Sequence, residues 1–167
     1  MLEIAKLKNI KALVLDVDGV LTDACVQWTE SGEWVRRYNV RDGVGIKLLQ
    51  KKGFIIGVIT GAKSRDVTER VEFLGIEHFY NGIVDKTIAL DDFVEKTDLR
   101  ADQIAYVGDD IYDVELFSRV GFAVTVPGAI DEALEKASYI TKREGGKGAV
   151  REICDYLLKY SDGSSSV

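Results

Sequence analysis

Four stretches of the chain are almost wholly apolar: residues 11–16, 54–59, 104–107 and 121–126, rich in Val, Ile, Leu and Phe and without polar alternation. Strands covered on both faces read this way. Between and beyond them, apolar positions recur at helical spacing over 43–52, 63–74, 86–97, 110–119, 130–136 and 148–160. This strand–helix alternation predicts an α/β fold built on a doubly wound, mostly parallel sheet. Ligands of such sheets collect at the carboxyl ends of the strands. The rhythm breaks at 24–39, where Val26-Gln27-Trp28-Thr29 and Glu33-Trp34-Val35-Arg36 flank Ser31-Gly32. That pattern predicts a protruding β-hairpin, and its two tryptophans suggest a contact surface as readily as a cover for the domain's own core. A single domain is expected over 1–160, with the low-complexity stretch 161–167 as a disordered tail.

Composition narrows the setting. With 167 residues, 46% hydrophobic and 30% charged, the chain can bury one good core. A net charge of −6 with no evident basic face argues against a nucleic-acid partner. A small anionic substrate would need a local basic cluster instead. The apolar runs fall far short of about 18 residues, and Met1–Lys11 lacks the apolar core and small-residue cleavage site of a leader. A cytoplasmic protein with no membrane partner is expected. Cys25 and Cys154 read as free thiols rather than a bridge.

The chemistry is concentrated at predicted strand ends. Asp16-Val17-Asp18-Gly19-Val20 closes the first apolar run, and two acids placed two apart project to one side of an extended chain. They repel there unless a cation or a reaction requires them. Thr60-Gly61 follows the second run, Lys86 opens a helix, and Gly108-Asp109-Asp110-Ile111-Tyr112-Asp113 follows the third. Each alone has an ordinary reading as a turn, a solvated lysine or a helix cap. Together, at one rim, they fit phosphoryl transfer. Asp16, at an ordinary carboxylate pKa of about 3.9, would attack phosphorus without a base, giving an acyl phosphate that water cleaves. Asp18 would serve as acid to the leaving oxygen and then as base to the water. A phosphate dianion beside ionised Asp16 and Asp109 makes a charge of about −4, which one Mg²⁺ and Lys86 bring to about −1. Thr60 would donate its hydroxyl, and Gly61 its N–H, to a phosphoryl oxygen. His78, the one histidine, reads as structural beside Phe79 and Tyr80.

These motifs, in this order, resemble the haloacid dehalogenase superfamily of phosphotransferases: Asp16 to Asp23 its first motif, Thr60 its second, Lys86 its third, and Gly108-Asp109-Asp110 with Asp113 its fourth. Tyr38-Asn39-Val40-Arg41-Asp42-Gly43, Arg70, and Gly145-Gly146-Lys147-Gly148-Ala149-Val150-Arg151-Glu152 resemble, more narrowly, the 3-deoxy-D-manno-octulosonate 8-phosphate (KDO 8-phosphate) phosphatase group. The resemblance implies a Rossmann-like core without a large cap domain, Asp16 as nucleophile, and Asp18 as acid/base. It implies Mg²⁺ held by the side chains of Asp16 and Asp109 and the carbonyl of Asp18, with Asp110 and Asp113 supporting. It also implies a homotetramer assembled through the hairpins, the segment of Gly145, Gly146 and Lys147 reaching a neighbour's site.

Substrate binding is expected from Asn39, Val40, Arg41, Asp42, Gly43, Lys47, Gly61, Arg70 and Lys86. Arg41, Lys47 and Arg70 are the candidates for a sugar-acid carboxylate, and Lys142, Arg143 and Lys147 would add positive charge. Ala62 departs from the group's pattern, since related octulosonate phosphatases carry arginine there and a nonulosonate-phosphate relative glutamate. Lys63 and Arg65 would compensate, and the acidic sugar phosphate stays open. Three alternatives remain: a broad-specificity sugar phosphatase, a phosphatase-like oligomerisation or regulatory module of nucleotide-sugar synthesis, and a phosphotransferase to an alcohol. Intact Asp16, Asp18 and Lys86 disfavour the module, and the lack of a cap to exclude water disfavours transfer to an alcohol.

Overall fold

A computed structural model describes residues 4–161. Its centre is β1 (Ala12–Leu15), buried at every position. On one side β1 pairs with β4 (Ile55–Ile59), which pairs with β5 (His78–Tyr80). On the other side come β6 (Ile104–Val107), β7 (Phe122–Thr125) and β8 (Tyr139–Ile140). The sheet runs β5-β4-β1-β6-β7-β8 with every pairing parallel. The hairpin is separate and shorter than the sequence pattern indicates, β2 (Gln27–Trp28) against β3 (Trp34–Val35).

Alternation within β1 explains the layers. Leu13 and Leu15 join one core with residues of α2 (Val40–Lys51), α3 (Arg65–Leu74) and α7 (Ala149–Tyr160). Ala12 and Val14 face the other core, filled by α4 (Lys86–Thr97), α5 (Ile111–Phe117) and α6 (Asp131–Lys136). Strand residues therefore meet apolar neighbours on both faces, which is why their sequence shows no polar alternation. A short α1 (Ile4–Leu7) packs Leu7 into the first core. Among the described residues no helix is long and apolar enough to cross a membrane.

Some boundaries differ from the sequence pattern for local reasons. The first long helix begins at Val40, because the Asn39 side chain accepts from the N–H of Arg41 at 2.9 Å and starts it three residues early. α3 begins at Arg65, since Ser64 is extended. α5 starts after Asp110, which caps it, and ends at Phe117. β5 and β8 are too short, and β5 too aromatic and half-buried, to give a strand signal. Ser161, expected to be frayed, donates from Oγ to the carbonyl of Ile10 at 2.8 Å and is tied down. Residues 162–167 of the expected tail lie outside the described residues.

Candidate active site

Register brings the motifs level. Leu15 stands opposite Val58 on one side and Val107 on the other, so the next residues along, Asp16, Ile59 and Gly108, share one rim, with Thr60 and Asp109 a step beyond. Asp16 still belongs to the ladder, donating its N–H to the carbonyl of Val107 at 3.0 Å. The chain then turns: the Val17 carbonyl accepts from Leu21 at 2.9 Å and Thr22 at 3.1 Å, and Gly19 has φ +82°. This turn corrects the expectation that Asp16 and Asp18 project to one side of an extended chain, because the chain turns from Val17 onward. Their carboxylates have separate partners.

Asp16 is 6% exposed and contacts the Lys86 ammonium at 2.9 Å through Oδ1, which also accepts from the N–H of Val17 at 2.7 Å. Lys86 is the first residue of α4, delivered there by the Asp85 cap, and is 4% exposed. Its other partner is Asp113 at 2.6 Å. Burial alone would push the ammonium down, but Asp16 and Asp113 together hold it above its usual pKa. Asp113, fully buried, also accepts from the Tyr106 hydroxyl at 2.5 Å and from the N–H groups of Asp109 at 2.9 Å and Asp110 at 3.1 Å. Its oxygens are thus committed to holding Lys86 and the loop. Asp110 accepts from the Ile111 N–H at 2.6 Å as the cap of α5. Both supporting residues bear on loop geometry rather than on a ligand.

Asp109 is different. Its Oδ1 is buried and has no hydrogen-bond partner among the described residues, a costly arrangement for a carboxylate unless a cation completes it. A Cβ at Gly19 would stand 1.8 Å from Asp109 Oδ2, so this place is kept for the carboxylate by glycine at a positive φ. Oxygens of Asp16, Asp109 and Asp113 lie within 4.8 Å of one another. An all-oxygen, anionic donor set suits Mg²⁺. Burial pushes Asp109 up to about 7, helped by Asp16 and Asp113. Burial also raises Asp16 well above the carboxylate range, against the pull of Lys86. The ordinary pKa expected for Asp16 is therefore corrected: its ionisation depends on a counter-charge.

Thr60 is 1% exposed at the end of β4, and its Oγ1 accepts from the N–H of Ala62 at 3.1 Å, leaving the hydroxyl hydrogen to donate elsewhere. Gly61 is exposed beside it. Asp18 is gripped by Arg36, Nε to Oδ1 at 2.6 Å and Nη2 to Oδ2 at 3.0 Å. Arg36 and Tyr106 were not singled out by sequence. Arg36 carries no motif and sits in the hairpin pattern; Tyr106 hides in an apolar run, where only its hydroxyl signals a buried partner.

The expected substrate residues divide. Val40 and Arg41 are exposed, while Asn39 donates from Nδ2 to the Gly146 carbonyl at 3.2 Å. Arg70 donates to the Asn39 carbonyl at 3.2 Å and lies over the Tyr38 ring at 5.3 Å. Gly43 leaves room for its guanidinium, since a Cβ there would be 2.8 Å from Arg70 Nη2. Asp42 is 1% exposed and accepts from the Arg151 N–H at 2.7 Å at the start of α7, a helix cap rather than an open binding group. Lys47 is carried away from the rim; its ammonium lies near Gly75 at the end of α3. Gly145 and Gly146 dock on the same chain's first motif: Gly146 donates to the Val20 carbonyl at 3.1 Å, and a Cβ on Gly145 would be 1.7 Å from the Gly19 carbonyl oxygen. A contact this close packs the glycine pair against the first motif of its own chain. Lys147, exposed and paired with Glu144 at 2.5 Å, lines a cavity of about 140 Å³ with Asp109, Gly19 and Asp23.

A strand-end Asp–Lys–Asp cluster on a doubly wound sheet defines a class, and comparison with known proteins agrees. A family model described as haloacid dehalogenase-like hydrolase matches residues 76–153, the part that holds Lys86, Asp109 and Asp113. The 3-deoxy-D-manno-octulosonate 8-phosphate phosphatase of Escherichia coli strain K12 is 43% identical over 155 residues, 93% of this chain and 82% of the relative. That of Yersinia pestis is 38% identical over 159 residues, 95% of this chain and 85% of the relative. The crystal structure of the Moraxella catarrhalis phosphatase in complex with magnesium, phosphate and KDO matches with a TM-score of 0.92 at 36% identity, over 95% of this chain and 91% of that one. The chain belongs to the haloacid dehalogenase-like hydrolases, in the family of 3-deoxy-D-manno-octulosonate 8-phosphate phosphatases.

Proposed function

We propose that the chain is a Mg²⁺-dependent phosphomonoesterase that hydrolyses KDO 8-phosphate, or a closely related acidic sugar phosphate, through an aspartyl-phosphate on Asp16. The observation that carries this reading is the buried Asp16–Lys86–Asp113 chain beside the unpartnered oxygen of Asp109. The side chains of Asp16 and Asp109 and the carbonyl of Asp18 would hold the metal. When bound, Mg²⁺ offsets the negative charge of the site and draws the phosphoryl group toward it.

The rest of the work falls to the chain's own residues. An Asp16 carboxylate oxygen bonds to phosphorus as the bond to the sugar oxygen breaks, and Asp18 gives that oxygen its proton. Water then bonds to phosphorus, its proton passes to Asp18, and the acyl phosphate bond breaks to regenerate the Asp16 carboxylate. Lys86 stays bonded to Asp16 and offsets phosphoryl charge, while Thr60 and the N–H of Gly61 donate to a phosphoryl oxygen. Asp16, Asp109, Asp113 and Lys86 sum to about −2, so a bound dianion brings the site to about −4 and requires the divalent ion. Arg41 and Arg70 are the basic groups at the start of α2 for the sugar-acid carboxylate. The exposed Trp28–Trp34 pair, edge to face at 4.9 Å, supports a homotetramer joined through the hairpins.

The test is a panel of sugar phosphates assayed with and without Mg²⁺. KDO 8-phosphate is expected to be the best or near-best substrate, with activity falling at least a hundredfold on exhaustive chelation. Hydrolysis unaffected by chelation, or no hydrolysis of any acidic sugar phosphate, contradicts the reading.

A further inference from the structure

Arg36 stands just past β3, yet its side chain is only 8% exposed and is occupied at both ends. Nε and Nη2 form a two-pronged pair with the Asp18 carboxylate, at 2.6 and 3.0 Å. Nη1 reaches the N-terminal end of α3, donating to Ser64 Oγ at 3.0 Å and to Asp66 Oδ1 at 3.3 Å. Ser64 in turn donates to Asp66 Oδ1 at 2.6 Å, so the arginine is braced against a fixed support. Its guanidinium is held above its usual pKa chiefly by the hydrogen bonds to Asp18, with burial opposing. Lys86 is spent on Asp16 and Asp113, so it is Arg36 that pairs with Asp18.

We propose that Arg36 is a positioning residue that holds the Asp18 carboxylate as the proton acceptor for the water that hydrolyses the aspartyl-phosphate. This rests on the covalent reading above. A carboxylate receiving two N–H donors from one rigid fork is fixed in orientation; Oδ1 also accepts from the Thr22 hydroxyl at 3.5 Å, so Oδ2 is the oxygen that keeps a second lone pair for a water proton. In that step the water oxygen bonds to phosphorus, the water proton goes to Asp18, and the phosphorus–Asp16 bond breaks, releasing phosphate. The hairpin thereby contributes directly to the second half of the cycle, through a side chain that no phosphatase motif in the sequence contains.

p-Nitrophenyl phosphate isolates this half. Its leaving group needs no proton, so kcat/KM reports attack by Asp16 while kcat includes hydrolysis of the intermediate. Arg36→Met is expected to lower kcat at least tenfold with kcat/KM within about threefold of wild type, and to raise the steady-state level of acid-quenched protein-bound phosphate. Arg36→Lys, which keeps a charge and a donor, is expected to recover a substantial part of kcat. Parallel falls in kcat and kcat/KM, or no fall in kcat with the fold intact by thermal melting, overturn the proposal. Asp18→Asn provides the separation: if it too leaves kcat unchanged, the base role of Asp18 itself is wrong. A wild-type protein that hydrolyses no phosphomonoester overturns the phosphatase reading instead.

Discussion

At the scale of single residues, the site trades stability for chemistry. Asp16 is buried, and its raised pKa means that the folded state favours the protonated form. Stability from this group is fully present below the unfolded carboxylate pKa and is lost as pH rises through the folded value. Asp16→Asn should therefore cut turnover about a thousandfold or more. In metal-free protein it should also gain stability relative to wild type between about pH 4 and about pH 7. Urea unfolding at the two pH values measures the second effect; a variant that loses ground as pH rises contradicts it. Sequence made Asp16, Lys86 and Asp109 legible because each motif is short and local. It could not show that Asp113 is consumed by Lys86 and Tyr106, since that depends on partners from two other elements. Nor could it show Arg36 on Asp18, a pair that the turn at Val17 makes possible.

At the scale of elements, two motifs that look like substrate loops form a joint. Asp42, in the first turn of α2, caps α7; Asn39 holds the Gly146 carbonyl; and Glu152 accepts from the backbone of Lys142 and Arg143. α7 is amphipathic, burying Val150, Ile153, Cys154 and Leu157 against the core shared with α2. The joint thus fixes where Gly145 and Gly146 press on the first motif. The sequence pattern marked these residues without separating support from recognition, because capping across 109 residues of chain leaves no local trace. Burial raises Asp42 to about 6, while the N–H of Arg151 and that of Gly148 pull it down. Its contribution is present below about pH 4 and lost as pH rises through about 6, a change of at most about 3 kcal/mol. Asp42→Asn keeps the acceptor for Arg151 and should shift the stability difference in its own favour over that window. Denaturant midpoints from pH 4 to pH 7 check this; a constant difference contradicts it.

At the scale of the whole molecule, the site exists because a parallel sheet brings distant strand ends to one rim. The doubly wound plan was legible from four apolar runs, and the rim from the acids and glycines at the ends of those runs. The sheet's edges were not, since β5 and β8 have too few residues to carry a pattern. The central claim is that this rim makes Asp16 a nucleophile. Enzyme turning over p-nitrophenyl phosphate with Mg²⁺ can be quenched at a series of times and reduced with borohydride, which converts an aspartyl-phosphate to homoserine, and its peptides then mapped by mass spectrometry. Homoserine at position 16, rising to a steady level during turnover and absent without substrate, is the result predicted. Active turnover with Asp16 unmodified at every time point would contradict the account.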